Sequence, residues 1–362
     1  MIPNLEHLVG QVLVVGFAGL EPPPALLQQI AQGQVGGVIL FSRNVAHPRQ
    51  VAALTRALHR AAPPDSPLLV GVDQEGGRVQ RLRQPLALWP PMRQVGALAN
   101  PELTRRLGQA MGEDLHQLGF NLNFAPVLDV VTSAKNVVIG DRSFGPTAEI
   151  VIDHGLALAQ GLREAGVLPC GKHFPGHGGP VADSHLTLPI DHRSAEELTD
   201  LDLWPFAAAI GAGLPLLMTA HVLYPDLDRE QPATLSRLIC TELLREQLGF
   251  TGVLISDDLN MGAIAGTRGP GASALAALRA GSDLLLFCQQ AEHQQAARQA
   301  LIEAASTCHQ DRQRLEEAAD RVRALKANLP AAPEINPDHV LAQVQAEVHH
   351  ELLQKLGKLK KE

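Results

Sequence analysis

The chain concentrates its reactive side chains in one short stretch. Gly171-Lys172-His173-Phe174-Pro175-Gly176-His177-Gly178-Gly179, followed by Asp183-Ser184-His185, sets three histidines, a lysine and an aspartate on one path. Glycine permits close backbone approach and proline fixes the route. Histidine titrates near neutral pH, so it can give and take a proton, and a carboxylate two residues away can hold its other ring nitrogen. More polar groups stand at the ends of other apolar runs. Asp73 opens Asp73-Gln74-Glu75-Gly76-Gly77-Arg78-Val79-Gln80-Arg81, Asp129 and Arg142 lie in a later loop, His221 ends Met218-Thr219-Ala220-His221, and Asp257-Asp258 follow Leu254-Ile255-Ser256. Each has a plainer reading. A lone aspartate after a strand often caps the next helix, His177 can simply tie down its loop, His221 can be structural, and Arg142 can brace a carboxylate. Acting together, they read as an enzyme site.

Something must bring these scattered residues together. Eight apolar runs of strand length recur: Gln11–Phe17, Val35–Phe41, Leu68–Asp73, Gly119–Ala125, Val167–His173, Leu214–His221, Gly252–Asp257 and Ser282–Phe287. Most show no polar alternation, as expected of parallel strands buried on both faces. Helical spacing fills the intervals at Pro48–Ala62, Pro101–Leu118, Ala148–Ala165, Ala195–Ala212, Ser236–Leu248 and Ala272–Arg279. Asn100 before Pro101 reads as an N-cap, and Ser194 with Glu197 as a capping box. The repeated strand–helix unit points to an α/β fold, a single-domain (β/α)8 barrel, rather than a doubly wound sheet. The long segments Gln74–Glu102 and Pro126–Thr147 then lie on the face where barrels build their sites.

Pro330-Ala331-Ala332-Pro333 interrupts the last helical stretch, which divides the chain into a barrel over residues 1–329 and an extension over 330–362. In the extension Leu341, Val344, Val348, Leu352 and Leu356 recur at helical spacing. They read as an amphipathic helix docked on the barrel or on a second subunit, with a charged tail after it. The expectation is a monomer, with this helix as the route to a dimer.

The formal net charge of the 362 residues is -8, and there is no dense basic stripe, which argues against a nucleic-acid partner. Cys170, Cys240, Cys288 and Cys308 form no CxxC pair and read as thiols of a reducing compartment. No apolar run reaches transmembrane length. The segment Met1–His7 has neither basic nor apolar signal regions, so the expected location is the cytoplasm. No phosphate-cradling loop and no cofactor motif is present, so the reading carries no cofactor and no metal.

Lys-His-Phe-Pro-Gly-His-Gly with Asp-Ser-His, preceded by Val-Asp-Gln-Glu-Gly-Gly-Arg-Val-Gln-Arg and followed by Ser-Asp-Asp-Leu, resembles glycoside hydrolase family 3. The resemblance is strongest to its single-domain bacterial β-N-acetylhexosaminidases of peptidoglycan recycling. It runs from about Gly10 to Leu325 and leaves the C-terminal segment outside. It implies that Asp257 is the nucleophile, that His185 is the proton donor and acceptor, and that Asp183 orients His185. It also implies that Asp73, Arg81, Arg142, Lys172 and His173 bind a terminal N-acetylglucosamine. The implied substrate is an N-acetylglucosamine-containing muropeptide, cleaved with retention through a glycosyl-aspartate. A histidine acid departs from the usual pair of carboxylates. Two alternatives stay open on residues alone: a metal-dependent hydrolase on the same barrel, which histidines and aspartates at strand ends also suit, and a barrel that binds amino sugars without turnover.

Overall fold

The computed structural model describes residues 5–132, 135–180, 187–266, 268–329, 335–337, 340–344 and 349–357. Eight parallel strands form one sheet: β1 Leu13–Val15, β2 Gly37–Leu40, β3 Leu69–Val72, β4 Leu122–Asn123, β5 Leu168–Phe174, β6 Leu216–Thr219, β7 Val253–Ile255 and β8 Leu285–Phe287. The spatial order is β8-β1-β2-β3-β4-β5-β6-β7. A bridge between Ile255 and Leu284 joins the last strand to the first and closes the circuit. The fold is a (β/α)8 barrel with C-terminal helices.

All eight expected strands are present, each shorter than its apolar run except β5, which is as long as its run and shifted by one residue. Most of the runs show no polar alternation because strand faces alternate between two dry layers. Val14, Ile39, Leu69, Leu122, Cys170, Leu216, Met218, Val253, Ile255, Leu284 and Leu286 pack inside the barrel. Their neighbours Val15, Val38, Val70, Leu217 and Leu254 face outward into the layer beneath the helices. This parity reaches the site. Two steps beyond Gly71, which itself follows Leu69 by two, comes Asp73, two beyond Cys170 comes Lys172, and two beyond Ile255 comes Asp257. The strands that fill the barrel therefore aim these three side chains into its mouth.

Helices surround the sheet. Asn100 caps Pro101–Gln117 through its side chain, 3.1 Å from the Leu103 N–H, and Ser194 and Glu197 form a capping box. The expected helix over Ala195–Ala212 is interrupted by a π-helical turn, Leu198–Asp202, before Leu203–Gly211. Pro205 explains the break: it has no N–H for the Leu201 carbonyl four residues earlier, and its ring crowds that group.

Beyond Leu329, helices Val340–Val344 and His350–Gly357 lie on the barrel. The first packs on helices Pro48–Ala61 and Pro101–Gln117, the second on Pro101–Gln117. Val344, Leu352 and Leu356 of the apolar repeat are buried, whereas Val348 lies outside the described residues. His349 Nε2 is 2.9 Å from Asp114 Oδ1, and its ring rests against Trp89. The docking surface of this extension is therefore the chain's own barrel.

Candidate active site

The mouth of the barrel holds a cavity of about 510 Å³, within the range of small-ligand sites. Its floor and one wall are an ionic lattice. Lys172 Nζ lies 2.8 Å from Asp73 Oδ1 and 2.6 Å from Glu75 Oε1. Arg142, from the 3-10 turn Gly140–Arg142, reaches Glu75 with two parallel hydrogen bonds, each 2.8 Å. Arg81 Nη2 is 3.3 Å from Asp73 Oδ2.

Local structure places each member. A short hairpin, Gln74–Gly76 with Val79–Gln80, follows β3. Gln74 is pinned to Asn123 of β4 by two hydrogen bonds. Its side-chain oxygen accepts the N–H groups of Arg81 and Leu82, so the hairpin returns Arg81 to Asp73. Gly77 at φ 56 makes the turn, where a Cβ would meet Pro91 at 2.8 Å. Arg78 clips the hairpin to the next loop through the carbonyls of Val137, Val138 and Ile139.

Lys172 and Glu75 are almost wholly buried. Burial alone would neutralise both. For Glu75 it is outweighed by Arg142 and Lys172, which hold the carboxyl well below its ordinary range. For Lys172 burial is outweighed by Asp73 and Glu75, so its pKa is raised. Asp73 is likewise lowered, against burial, by Lys172 and Arg81. All are charged at neutral pH and present fixed donors and acceptors suited to hydroxyl groups.

His173 follows Lys172 where β5 loses register with β6. Its Nδ1–H donates to Asp129 Oδ2 at 2.7 Å, and Asp129 Oδ1 accepts the backbone N–H groups of His173 and His177. The Nε2 atom of His173 is thereby the ring nitrogen left to a ligand. The pKa of His177 is pushed down to about 4 by burial and by the neighbouring His173, so its ring is neutral.

Asp257 and Asp258 both line the cavity, in different roles. Asp258 Oδ1 accepts the N–H groups of Asn260 and Cys288, at 3.0 and 3.1 Å, and so ties two loops together. Asp257 sits at the interior parity, with Oδ1 2.7 Å from the Asp258 N–H. Burial opposes its charge, but His221, His173, that N–H and Lys172 outweigh it, and its pKa is lowered. An ionised carboxylate on the cavity floor is thus available as a nucleophile. His221 is structural: Nε2–H donates to the Asp258 carbonyl at 3.0 Å, and Nδ1 lies 2.7 Å from Thr234 Oγ1.

The structure brings Asp73, Arg81, Arg142, Lys172, His173 and Asp257 to one cavity. Asp183 and His185 lie outside the described residues. Glu75 was not among the expected site residues, yet it joins Lys172 to Arg142. The spacing Asp73-Gln74-Glu75 carries the signal, because residues two apart in an extended segment share a face. Among the described residues, no three His, Cys, Asp or Glu side chains are placed to share a metal ion.

A parallel barrel whose strand ends converge on charged groups around a sugar-sized hollow has the architecture of a barrel enzyme. Residues 4–325 match the glycosyl hydrolase family 3 N-terminal domain. A β-hexosaminidase of Thiobacillus denitrificans is 44% identical over 286 residues, 77% of this chain and 79% of that protein. One of Tolumonas auensis is 46% identical over 279 residues, 76% and 82% of the two chains. Among solved structures, a family 3 β-N-acetylglucosaminidase from Paenibacillus sp. superposes with a TM-score of 0.90 at 37% identity, over 98% of this chain and 68% of that one. NagZ from Neisseria gonorrhoeae in complex with N-trifluoroacetyl-D-glucosamine superposes at 0.80 with 32% identity, over 97% and 98%. The chain belongs to glycoside hydrolase family 3. Its relatives there are β-hexosaminidases, and it is a glycoside hydrolase.

Proposed function

We propose that this protein is a retaining β-N-acetylglucosaminidase that removes terminal non-reducing N-acetylglucosamine from muropeptides. The observation that carries this reading is the ionised Asp257 carboxylate at the floor of the cavity walled by Asp73, Glu75, Arg142 and Lys172. In this reading the lattice binds the hydroxyl groups of the sugar, with Arg81 and His173 as further donors or acceptors, and holds the ring over Asp257. Asp257 attacks the anomeric carbon while His185 protonates the departing oxygen. His185, held by Asp183, then takes a proton from the water that frees the sugar from Asp257. The relatives, a β-hexosaminidase, a β-N-acetylglucosaminidase and a protein that binds N-trifluoroacetyl-D-glucosamine, support the amino sugar. Free cysteines at Cys170, Cys240, Cys288 and Cys308 support a cytoplasmic place of work, and no helix among the described residues is long and apolar enough to cross a membrane.

The test is the stereochemistry of the first product. Following 4-nitrophenyl β-N-acetylglucosaminide by proton NMR, the β-anomer of N-acetylglucosamine is expected before mutarotation. The α-anomer appearing first would remove Asp257 from the nucleophile's role.

A further inference from the structure

Among the described residues the lining of the cavity ends at Gln289, so the C-terminal extension lends it no side chain. The extension nevertheless lies against the support of the hairpin Gln74–Gly76 with Val79–Gln80. That support is Trp89. Its carbonyl accepts the N–H of Gly77 at 2.9 Å, and its own N–H donates to Gln80 Oε1 at 3.1 Å. One residue thus holds both the turn and the second strand of a hairpin whose first strand carries Glu75. The packing here has no slack. A Cβ on Gly76 would stand 2.7 Å from the Pro90 carbonyl oxygen and 3.4 Å from Trp89 Cβ. A shift of the segment around Trp89 is therefore passed to the hairpin backbone.

Trp89 is itself backed by His349. The two ring centres are 5.3 Å apart, with planes inclined at 47°, and both residues are buried. His349 Nε2 lies 2.9 Å from Asp114 Oδ1, on helix Pro101–Gln117. Farther along the extension, Leu353 and Leu356 share one small hollow with Leu88 and Pro90, the neighbours of Trp89. A carboxylate thus fixes the imidazole on one side, and the ring meets the indole on the other. Ring contacts of this kind are directional, so removing the ring frees the indole and, with it, the backbone that carries the hairpin. Glu75 moves with the hairpin, and Glu75 is the carboxylate shared by Lys172 and Arg142. We propose that His349 is a positioning residue: its ring holds Trp89, Trp89 holds the hairpin, and the hairpin keeps the ionic lattice in the geometry that grips the sugar. The proposal rests on the glucosaminidase reading above and extends it to a residue remote from the cavity. Groups that position a substrate tolerate little error, a displacement of about 1 Å costing up to about 10²-fold.

The experiment measures kcat and KM on 4-nitrophenyl β-N-acetylglucosaminide, and the inhibition constant of N-acetylglucosamine, in two full-length variants. His349→Gln keeps an N–H for Asp114 and removes the ring. His349→Phe keeps the ring and removes the hydrogen bond. We expect His349→Gln to raise KM and the inhibition constant together by about tenfold, with kcat little changed. His349→Phe should keep both close to the wild-type values, even though the loss of its bond to Asp114 lowers its melting temperature. A role confined to stability gives another pattern: the unfolded fraction lowers kcat, and the molecules that stay native keep the wild-type KM. That pattern would overturn the proposal, as would a KM that follows the Asp114 bond rather than the ring. Each variant also decides alone should the other fail to fold, because an unchanged KM in His349→Gln or a raised one in His349→Phe defeats the role. No turnover by the wild type defeats the glucosaminidase reading itself, whereas wild-type turnover with unaltered sugar binding in His349→Gln defeats only the role of His349.

Discussion

At the scale of single residues, the site divides labour between charges that cancel and one that is kept free to react. Asp73, Glu75, Arg142 and Lys172 neutralise one another. Asp257 has no cation within ion-pair reach among the described residues and owes its ionisation to more distant groups and one N–H. Asp257→Ala should therefore lose nearly all turnover, by about 10³-fold or more, with an unchanged circular dichroism spectrum. Near-normal turnover would refute the assignment. The acid side gives a different signature. A proton donor matters most when the leaving oxygen is basic, so His185→Ala should slow alkyl β-N-acetylglucosaminides far more than the 4-nitrophenyl substrate. Equal losses across a leaving-group series would contradict the role. Sequence made most of the site legible because its residues sit at strand ends, where the interior parity points them inward. Glu75 was harder to read. It matters through two cations that are remote in sequence.

At the scale of elements, apolar runs located the strands because both strand faces are dry. They could not give winding. The segment Leu238–Gln247 is wound as a π-helix, and over ten residues an apolar stripe does not separate that pitch from the α-helical one. Nor could the apolar pattern show how closely helices approach. Helices Pro101–Gln117 and Ala148–Glu164 cross backbone to backbone. A Cβ on Gly161 would stand 2.0 Å from the Arg105 carbonyl oxygen, and one on Gly108 would stand 2.4 Å from that of Leu158. Backbone cannot yield as a side chain does. Gly161→Ala should thus force the pair apart and cost about 1–3 kcal/mol, lowering the urea midpoint. Gly211, at the end of Leu203–Gly211, has nothing within 4 Å of such a Cβ. Gly211→Ala should stabilise by about 0.4–1 kcal/mol through the unfolded chain. Equal midpoints for the two variants would contradict the packing argument.

At the scale of the whole molecule, the barrel keeps its balanced charges at one end and an unbalanced one at the other. Lys326, on helix His309–Ala327, is buried near the N-terminal ends of the strands. Its ammonium donates to Gln11 Oε1 at 3.0 Å, and Gln11 in turn donates to Ser66. No carboxylate pairs with it among the described residues, and burial pushes its pKa down to about 7. The sign of the linkage follows. Between about pH 7 and the unfolded-state value near 10.5, the unfolded chain binds more protons at this position than the folded one, so stability should rise with pH across that window. Below it the whole cost of the buried lysine is present; above it none remains. Lys326→Met keeps the volume and removes the charge, so it should raise stability at pH 7 by about 1–3 kcal/mol. That gain should shrink steadily as the pH rises toward 10.5. Because Lys326 lies at the opposite end of the barrel from Asp257, kcat/KM should stay where it was. Urea midpoints of wild type and variant between pH 7 and 10 provide the check, and two parallel curves would mean that Lys326 stays charged in the folded protein.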